Sequence, residues 1–376
     1  MEYKYRQTPI SRRPLNTKII MYRLLAGLLV VYAFGLFKAY QWGSAYFINT
    51  ILLLVVSLVV GTLTEVVFAL ACKKNVIEHL TSSFHYITCV ILVLIVPCNT
   101  SLYVIGVGTF ISLFFGKLVF GGFGQNVFNP AGVGKAVMST SFSGKIVIDA
   151  ISSPTVTTAF ANMNWISDKT NYLALINSYG GMKSILFGDY FGAIGETCTL
   201  LILLVGIALA LLDVIDWRIP AVYIGTMFVG SLIVGLTHGL GISYALAFIS
   251  TGGIAFGGVF MLTDPVTNPQ TRPGKMLFAA IAALLTVLIR FLGNLPEGVV
   301  FSILIVNMLS PTIDELFGYK QIIAYKRNSI IVIVSIVVTI LVTAIVGSNV
   351  TPGVYKSDAV IQNRTYIVNK GGAENE

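Results

Sequence analysis

Few residues in this sequence have types and spacing that could do chemistry. One run, Asp149-Ala-Ile-Ser-Ser-Pro-Thr155-Val-Thr-Thr158, gathers Ser152, Ser153, Thr155, Thr157 and Thr158 behind a carboxylate, amid long apolar stretches. An activated threonine hydroxyl can accept a covalent group, and the plain alternative is turn chemistry, where Ser, Thr and Pro are common. Isolated ionisable groups form a second set: Glu65, His85, Lys117, Glu196, Asp264 and Arg290 all fall in or beside apolar runs. Such groups are costly in a bilayer and default to functional hypotheses. For Glu65 an ion path competes with an ordinary interfacial carboxylate, and for His85 a packed core histidine is the simpler reading. No histidine pair lies at helical spacing, and no metal is assigned.

The elements that must position these residues are membrane helices. Hydrophobic residues make up 56% of the 376 positions and charged residues 11%, against roughly 25% charged in soluble domains. The net charge of +8 is spread over short loops, which points to topology and away from nucleic acid. Apolar runs near 18–39, 46–72, 83–98, 101–122, 193–212, 219–238, 243–262, 275–293, 297–318 and 329–347 predict spans, and a Gly-rich piece at 129–142 predicts a half-helix. The expected fold is an all-α polytopic membrane protein of about 10–11 transmembrane segments with an internal repeat and broken helices. Counting the half-helix as a crossing places most loop lysines and arginines, among them Arg272, Lys275, Lys326 and Arg327, on the cytoplasmic side. The long loop 143–192, with the hydroxyl run, then faces outward. Residues 1–17 form a basic cytoplasmic terminus, 18–320 the membrane domain, and 321–376 an extra span with a polar extracytoplasmic tail. Cys72, Cys89, Cys98 and Cys198 lack the paired spacing of zinc or disulfide sites and read as inert thiols.

The repeat is faint. Phe120-Gly-Gly122 precedes Asn129-Pro130, and Phe256-Gly-Gly258 precedes Asp264-Pro265, which marks Asn129 and Asp264 as the two helix breaks. Unwound backbone at membrane depth persists only where protein or ligand satisfies it, so the breaks are expected to bind something. Close helix packing is the competing use of the glycines. With no flavin, two such breaks could also form a channel or secondary transporter for a small polar solute.

Three separated runs, FGGFGQNVFNPAGVGKAV (120–137), GGIAFGGVFMLTDPVTNP (252–269) and LIRFLGNLPEGVVFSILIVNMLSPTID (288–314), resemble RnfD, the flavin-bearing membrane component of the Rnf-type ion-translocating ferredoxin:NAD oxidoreductase. Its counterpart in the sodium-translocating NADH:quinone oxidoreductase shares them, and the short amino terminus favours the ferredoxin-linked type. The resemblance implies an FMN joined by a phosphoester to a threonine in an Asp-x-x-Ser/Thr-Gly-Ala-Thr motif, attached by a flavin transferase. Asp149, Ser152 and Thr155 match that motif, with Thr155 as acceptor, while Ser153 and Pro154 stand where Gly and Ala are usual. Whether a second, non-covalent flavin sits between the breaks is left open by the sequence. Arg290 would lie on the Thr155 side, where its guanidinium could clamp the FMN phosphate or a ring carbonyl, against snorkelling or a salt bridge to Glu297. The resemblance further implies partner subunits in a complex of the bacterial inner membrane, with electrons passing between ferredoxin and NAD coupled to Na+ or H+ transport. No Gly-x-Gly-x-x-Gly unit or four-cysteine motif is present for NAD or an iron–sulfur cluster. The segment after Lys320 departs from the family pattern. It is expected to be a terminal anchor, or to carry a tail that docks on an extracytoplasmic flavin-bearing partner.

Overall fold

The computed structural model of the protein describes residues 16–142, 156–196, 198–293, 298–318 and 325–353. Among them the structure is helical, with one isolated bridge between Pro97 and Ala193. Helices dominate because long Leu-, Ile- and Val-rich runs in lipid can satisfy their backbone only internally. Six helices are long and apolar enough to span: α1 (Thr17–Trp42), α2 (Ser44–Ala71), α11 (Arg218–Thr237), α14 (Arg272–Leu292), α15 (Val299–Gly318) and α16 (Tyr325–Asn349). Two further spans are broken. Helices α3 (Val76–Ser83) and α4 (His85–Leu94) meet at 45°, and α12 (Ile242–Ser250) meets α13 (Ile254–Phe256), with its continuation to Met261, at 65°. Shorter apolar passes are Leu102–Leu118, which begins as α5 (Leu102–Leu113), and α10 (Thr199–Leu211). The expected half-helix is α6 (Pro130–Ser141). Six long helices and two bent pairs give up to eight candidate spans among the described residues, and the two short passes and α6 also run as traverses of the bundle.

These traverses alternate between two ends of the bundle. One end holds the Asp216–Lys275 ion pair at 3.2 Å and Arg23 Nη1 donating to the Leu212 carbonyl at 3.1 Å. The other holds the Lys38–Asp189 pair, the Trp42–Phe191 ring stack and the helices α7 (Val156–Asn162), α8 (Lys169–Ser178) and α9 (Gly181–Phe187). Helix α14 runs from one to the other, and at 1.5 Å per residue Lys275 and Arg290 lie about 22 Å apart along it. The Lys275 end also carries Lys73, Lys74, Arg218, Arg272, Lys326 and Arg327, so it is the end expected to face the cytoplasm.

Two passes of the bundle end alike. A π-helical turn at Phe114–Leu118 ends the pass begun by α5, and a second at Gly257–Met261 ends the pass begun by α12. After the first, Asn129 caps α6 by accepting from Gly132 N–H, with a proline in the first turn. After the second, Thr271 caps α14 by accepting from Gly274 N–H, again with a proline in the first turn. Phe120-Gly-Gly122 follows its π-turn whereas Phe256-Gly-Gly258 leads into one, so the two runs sit differently in the fold. Asn129 and Thr271 do the same job at a helix start.

Helix α16 is integrated into the bundle and packs along α11 and α14. A Cβ on Gly230 would meet the Thr343 side chain within 2.7–3.1 Å, the backbone proximity that small residues give membrane helices. Thr339 donates to the Ala280 carbonyl, while Ile330, Ile333, Leu341 and Ile345 stay exposed on the outer face.

Candidate functional site

At the Lys275 end, the two π-turned passes border a narrow cleft that is partly open to solvent. Its walls bring the rings of Phe84, Phe123 and Phe260 beside Asn126, Asn129, Thr263, Asp264, Ser83 and Lys117. The structure thus collects Asn129 and Asp264, 135 residues apart, at one site. Asn129 links the halves. Its Oδ1 accepts from Gly132 N–H, and its Nδ2 donates at 3.2 Å to the Met261 carbonyl at the end of the second π-turn. Asp264 accepts from Val266 N–H at 3.2 Å and from the Thr267 hydroxyl at 3.4 Å, which fixes the turn after the break.

Behind the cleft wall lies a buried ion network. Lys117 Nζ reaches Glu65 Oε1 at 2.9 Å and Ser83 Oγ at 2.8 Å, and also donates to the Ser83 carbonyl. Glu65 is fully buried, and its second oxygen meets His79 Nε2 at 2.7 Å. His85, one residue past the break, places Nε2 3.1 Å from the Thr62 hydroxyl. His79 and Ser83 were not foreseen as partners. Their signal was weak, since both sit just before a break, Phe84 in the left-handed region (φ 49°), that no glycine announces.

Arg290 lies at the opposite end and is 1% exposed. Its Nη1 donates to the Phe248 carbonyl at 3.1 Å, and its Nη2 to the carbonyls of Thr251 and Gly252 at 2.8 and 2.9 Å. The guanidinium also sits 4.5 Å from the Trp165 ring centroid and 5.0 Å from that of Phe248. A planar fork with five donors suits this task, which is to satisfy the carbonyls freed where α12 breaks. Tyr190 and Thr199 hydroxyls complete it on the Ser250 carbonyl, each at 3.3 Å. A Cβ on Gly252 (φ +65°) would meet both the Arg290 guanidinium and the Thr157 methyl, so this break also touches α7. Glu196 lies against the next residue, Gly253. Asp149, Ser152 and Thr155, like Glu297, fall outside the described residues; the described chain resumes at Val156, one position after Thr155. Trp165, the aromatic centre of this end, carried no sequence signal that set it apart from other interfacial aromatics.

At the Lys275 end, Asp216 bridges Arg218 and Lys275 in the loop between α10 and α11. Partial burial opposes its charge, but the Arg218 N–H and the two cations outweigh this and hold the carboxyl below its ordinary value.

Residues 4–323 match the model of the NQR2, RnfD, RnfE family. The chain is 31% identical over 318 residues to a subunit of the proton-translocating ferredoxin:NAD(+) oxidoreductase complex of Clostridium ljungdahlii, covering 82% of this chain and 92% of that one. It is 28% identical over 311 residues to the equivalent subunit of the Na(+)-translocating ferredoxin:NAD(+) oxidoreductase complex of Acetobacterium woodii, covering 82% and 91%. It is also 31% identical over 285 residues to a subunit of the Na(+)-translocating NADH-quinone reductase of Chromohalobacter salexigens, covering 74% and 67%. With its π-turned, broken-helix membrane bundle, this chain is a multi-pass membrane protein that belongs to the NQR2, RnfD, RnfE family.

Proposed function

We propose that the chain is a membrane subunit of an ion-translocating ferredoxin:NAD oxidoreductase complex in a bacterial inner membrane. On this reading it carries FMN on Thr155 and helps couple electron transfer to the movement of Na+ or H+. The observation that carries the reading is the similarity to two ferredoxin-linked relatives over more than nine-tenths of their length. Asp149, Ser152 and Thr155 add the pattern of a flavin acceptor to it. When bound, a flavin supplies one- and two-electron redox chemistry that no side chain here can supply, and the protein supplies position and electrostatics.

The chain's own residues divide the work by end. At the loop end, Arg290, Trp165 and Thr157 build the platform from which the acceptor segment departs. Attachment there condenses the Thr155 hydroxyl with the flavin phosphate: the transferase takes FAD, the Thr155 oxygen displaces AMP, and FMN stays as a phosphodiester. At the other end, the cleft is the place assigned to a second, non-covalent flavin on this reading. It offers apolar faces from Phe84, Phe123 and Phe260 and a polar edge from Asn126, Thr263 and Asp264, the mix that flat heterocycles require. Asn129 holds the two walls in register. The two ferredoxin-linked relatives name different ions, so the reading covers both.

The test is a denaturing gel viewed under ultraviolet light, with protein from a host that has an active flavin transferase. A fluorescent band at the chain's position that vanishes in Thr155→Ala supports the reading. A dark wild-type band overturns it and favours a flavin-free transporter. The similarity to the NADH-quinone reductase relative sustains a second reading, a quinone-linked complex, which is separated by supplying the purified complex with reduced ferredoxin or with NADH and a quinone.

A further inference from the structure

The turn that follows α7 is strained, and residues from the far end of the chain hold it. Asn164 and Trp165 occupy the left-handed region consecutively, at φ 53° and 64°. That region is unusual for a bulky residue, and such geometry persists only where the surroundings over-determine it. Two constraints come from the second half of the bundle. The Tyr244 hydroxyl donates to the Trp165 carbonyl at 2.8 Å, and the Arg290 guanidinium covers the Trp165 ring. Two more come from the segment after α16. Gly353 N–H donates to the Ile166 carbonyl at 2.8 Å, and Asn164 Nδ2 donates to the Thr351 carbonyl at 3.2 Å.

The approach is too close for any side chain at 353. A Cβ there would lie 2.5–2.7 Å from the Met163 backbone, so the two main chains meet directly. Ile166 is 1% exposed, and its carbonyl without Gly353 would lack that backbone donor in a buried place. A helix that served only as a lipid anchor would need none of these contacts. Both tethers lie beyond residue 323, where the family match ends. The turn connects in the other direction too: Phe160 in α7 stacks on Trp165 at 6.0 Å, with the rings 12° apart, and α7 begins one residue after Thr155.

From these contacts we infer that residues 350–353 are a strap whose function is to position α7, which begins one residue after the proposed flavin acceptor, with Gly353 and Asn164 as its positioning residues. The inference rests on the flavin reading above for its purpose, though not for its geometry. The strap locks the left-handed turn, the turn locks Trp165, and Trp165 with Phe160 fixes the start of α7.

The test uses the complete complex with Gly353→Ala and Asn164→Ala, and with Ile345→Ala on the lipid-facing side of α16 as control. Hydrogen exchange over residues 156–166 and the fluorescence anisotropy of the attached flavin are read together. Gly353→Ala is expected to speed exchange there by roughly tenfold, the scale of one lost buried hydrogen bond, and to lower the anisotropy of an equally fluorescent band. Asn164→Ala is expected to do the same more weakly, which decides the matter if Gly353→Ala does not assemble. Ile345→Ala is expected to leave both readouts unchanged. Unchanged exchange in both strap variants overturns the strap. Faster exchange with unchanged anisotropy overturns its positioning role and leaves a purely structural tether. A dark wild-type band overturns the flavin reading and with it the proposed purpose, while the exchange result still decides whether the strap holds the turn.

Discussion

Each of the two bent helix pairs meets a cation at its break, and the two cations differ in kind. Lys117 donates to the Ser83 carbonyl where α3 meets α4, and Arg290 donates to the Phe248, Thr251 and Gly252 carbonyls where α12 meets α13. Breaking a helix at membrane depth frees carbonyls that must find donors, and a cation is the strongest donor available. Lys117 is matched by Glu65, which also meets His79, so its break is held by a buried ion network and it borders a cleft. Arg290 lies against the rings of Trp165 and Phe248 and spreads its donors over three carbonyls. The contrast separates a break held by a buried ion pair from a break held by a guanidinium fork on neutral carbonyls, and the second lies beside α7.

Substitutions can break this comparison in order of size. Glu65→Gln leaves the Lys117 ammonium buried without its counter-charge and is expected to cost about 3–5 kcal/mol, read as a large fall in thermal unfolding temperature in detergent. Adding Lys117→Met to it is expected to recover part of that loss, and no recovery would mean that the pair is not the unit that holds the break. Arg290→Lys keeps the charge and loses the fork, at about 2–3 kcal/mol, with faster hydrogen exchange at residues 248–253 and 156–166. Equal exchange in that variant would show that charge alone holds the second break.

Smaller effects sharpen the picture of the cleft end. Asn129→Ala removes a helix cap and the bond to Met261, for about 1–2 kcal/mol, and is expected to loosen the cleft without affecting flavin on Thr155. Asp216→Asn is expected to cost under about 1 kcal/mol, since its partners are partly exposed. Its carboxyl is held below its ordinary value in the folded chain, so its contribution is full above the unfolded value of about 3.9. It is lost as pH falls through the lower folded value. The difference between wild type and Asp216→Asn should therefore be constant from about pH 8 to about 4 and shrink below that.

Much of the frame was legible in the sequence, because a membrane helix announces itself through length and apolar content alone. Each apolar run read as a span has a helix in the structure, including the half-helix before Ser141. What stayed hidden depends on contacts between distant positions. Glu65 and Lys117 lie 52 residues apart, and nothing at either position names the other. The two Phe-Gly-Gly runs read alike but sit differently, Phe120-Gly-Gly122 after a π-turn and Phe256-Gly-Gly258 at the start of one. Helix α16 looked separable by composition. Its packing shows only in single positions, such as Thr343 against Gly230, that no hydropathy pattern singles out.

The account depends most on Thr155, and the mass of the intact chain tests it most directly. Protein purified with its flavin transferase should be heavier than its sequence by one FMN less one water, and Thr155→Ala should return to the sequence mass. An unmodified wild-type chain, or an adduct that survives in Thr155→Ala, would contradict the account.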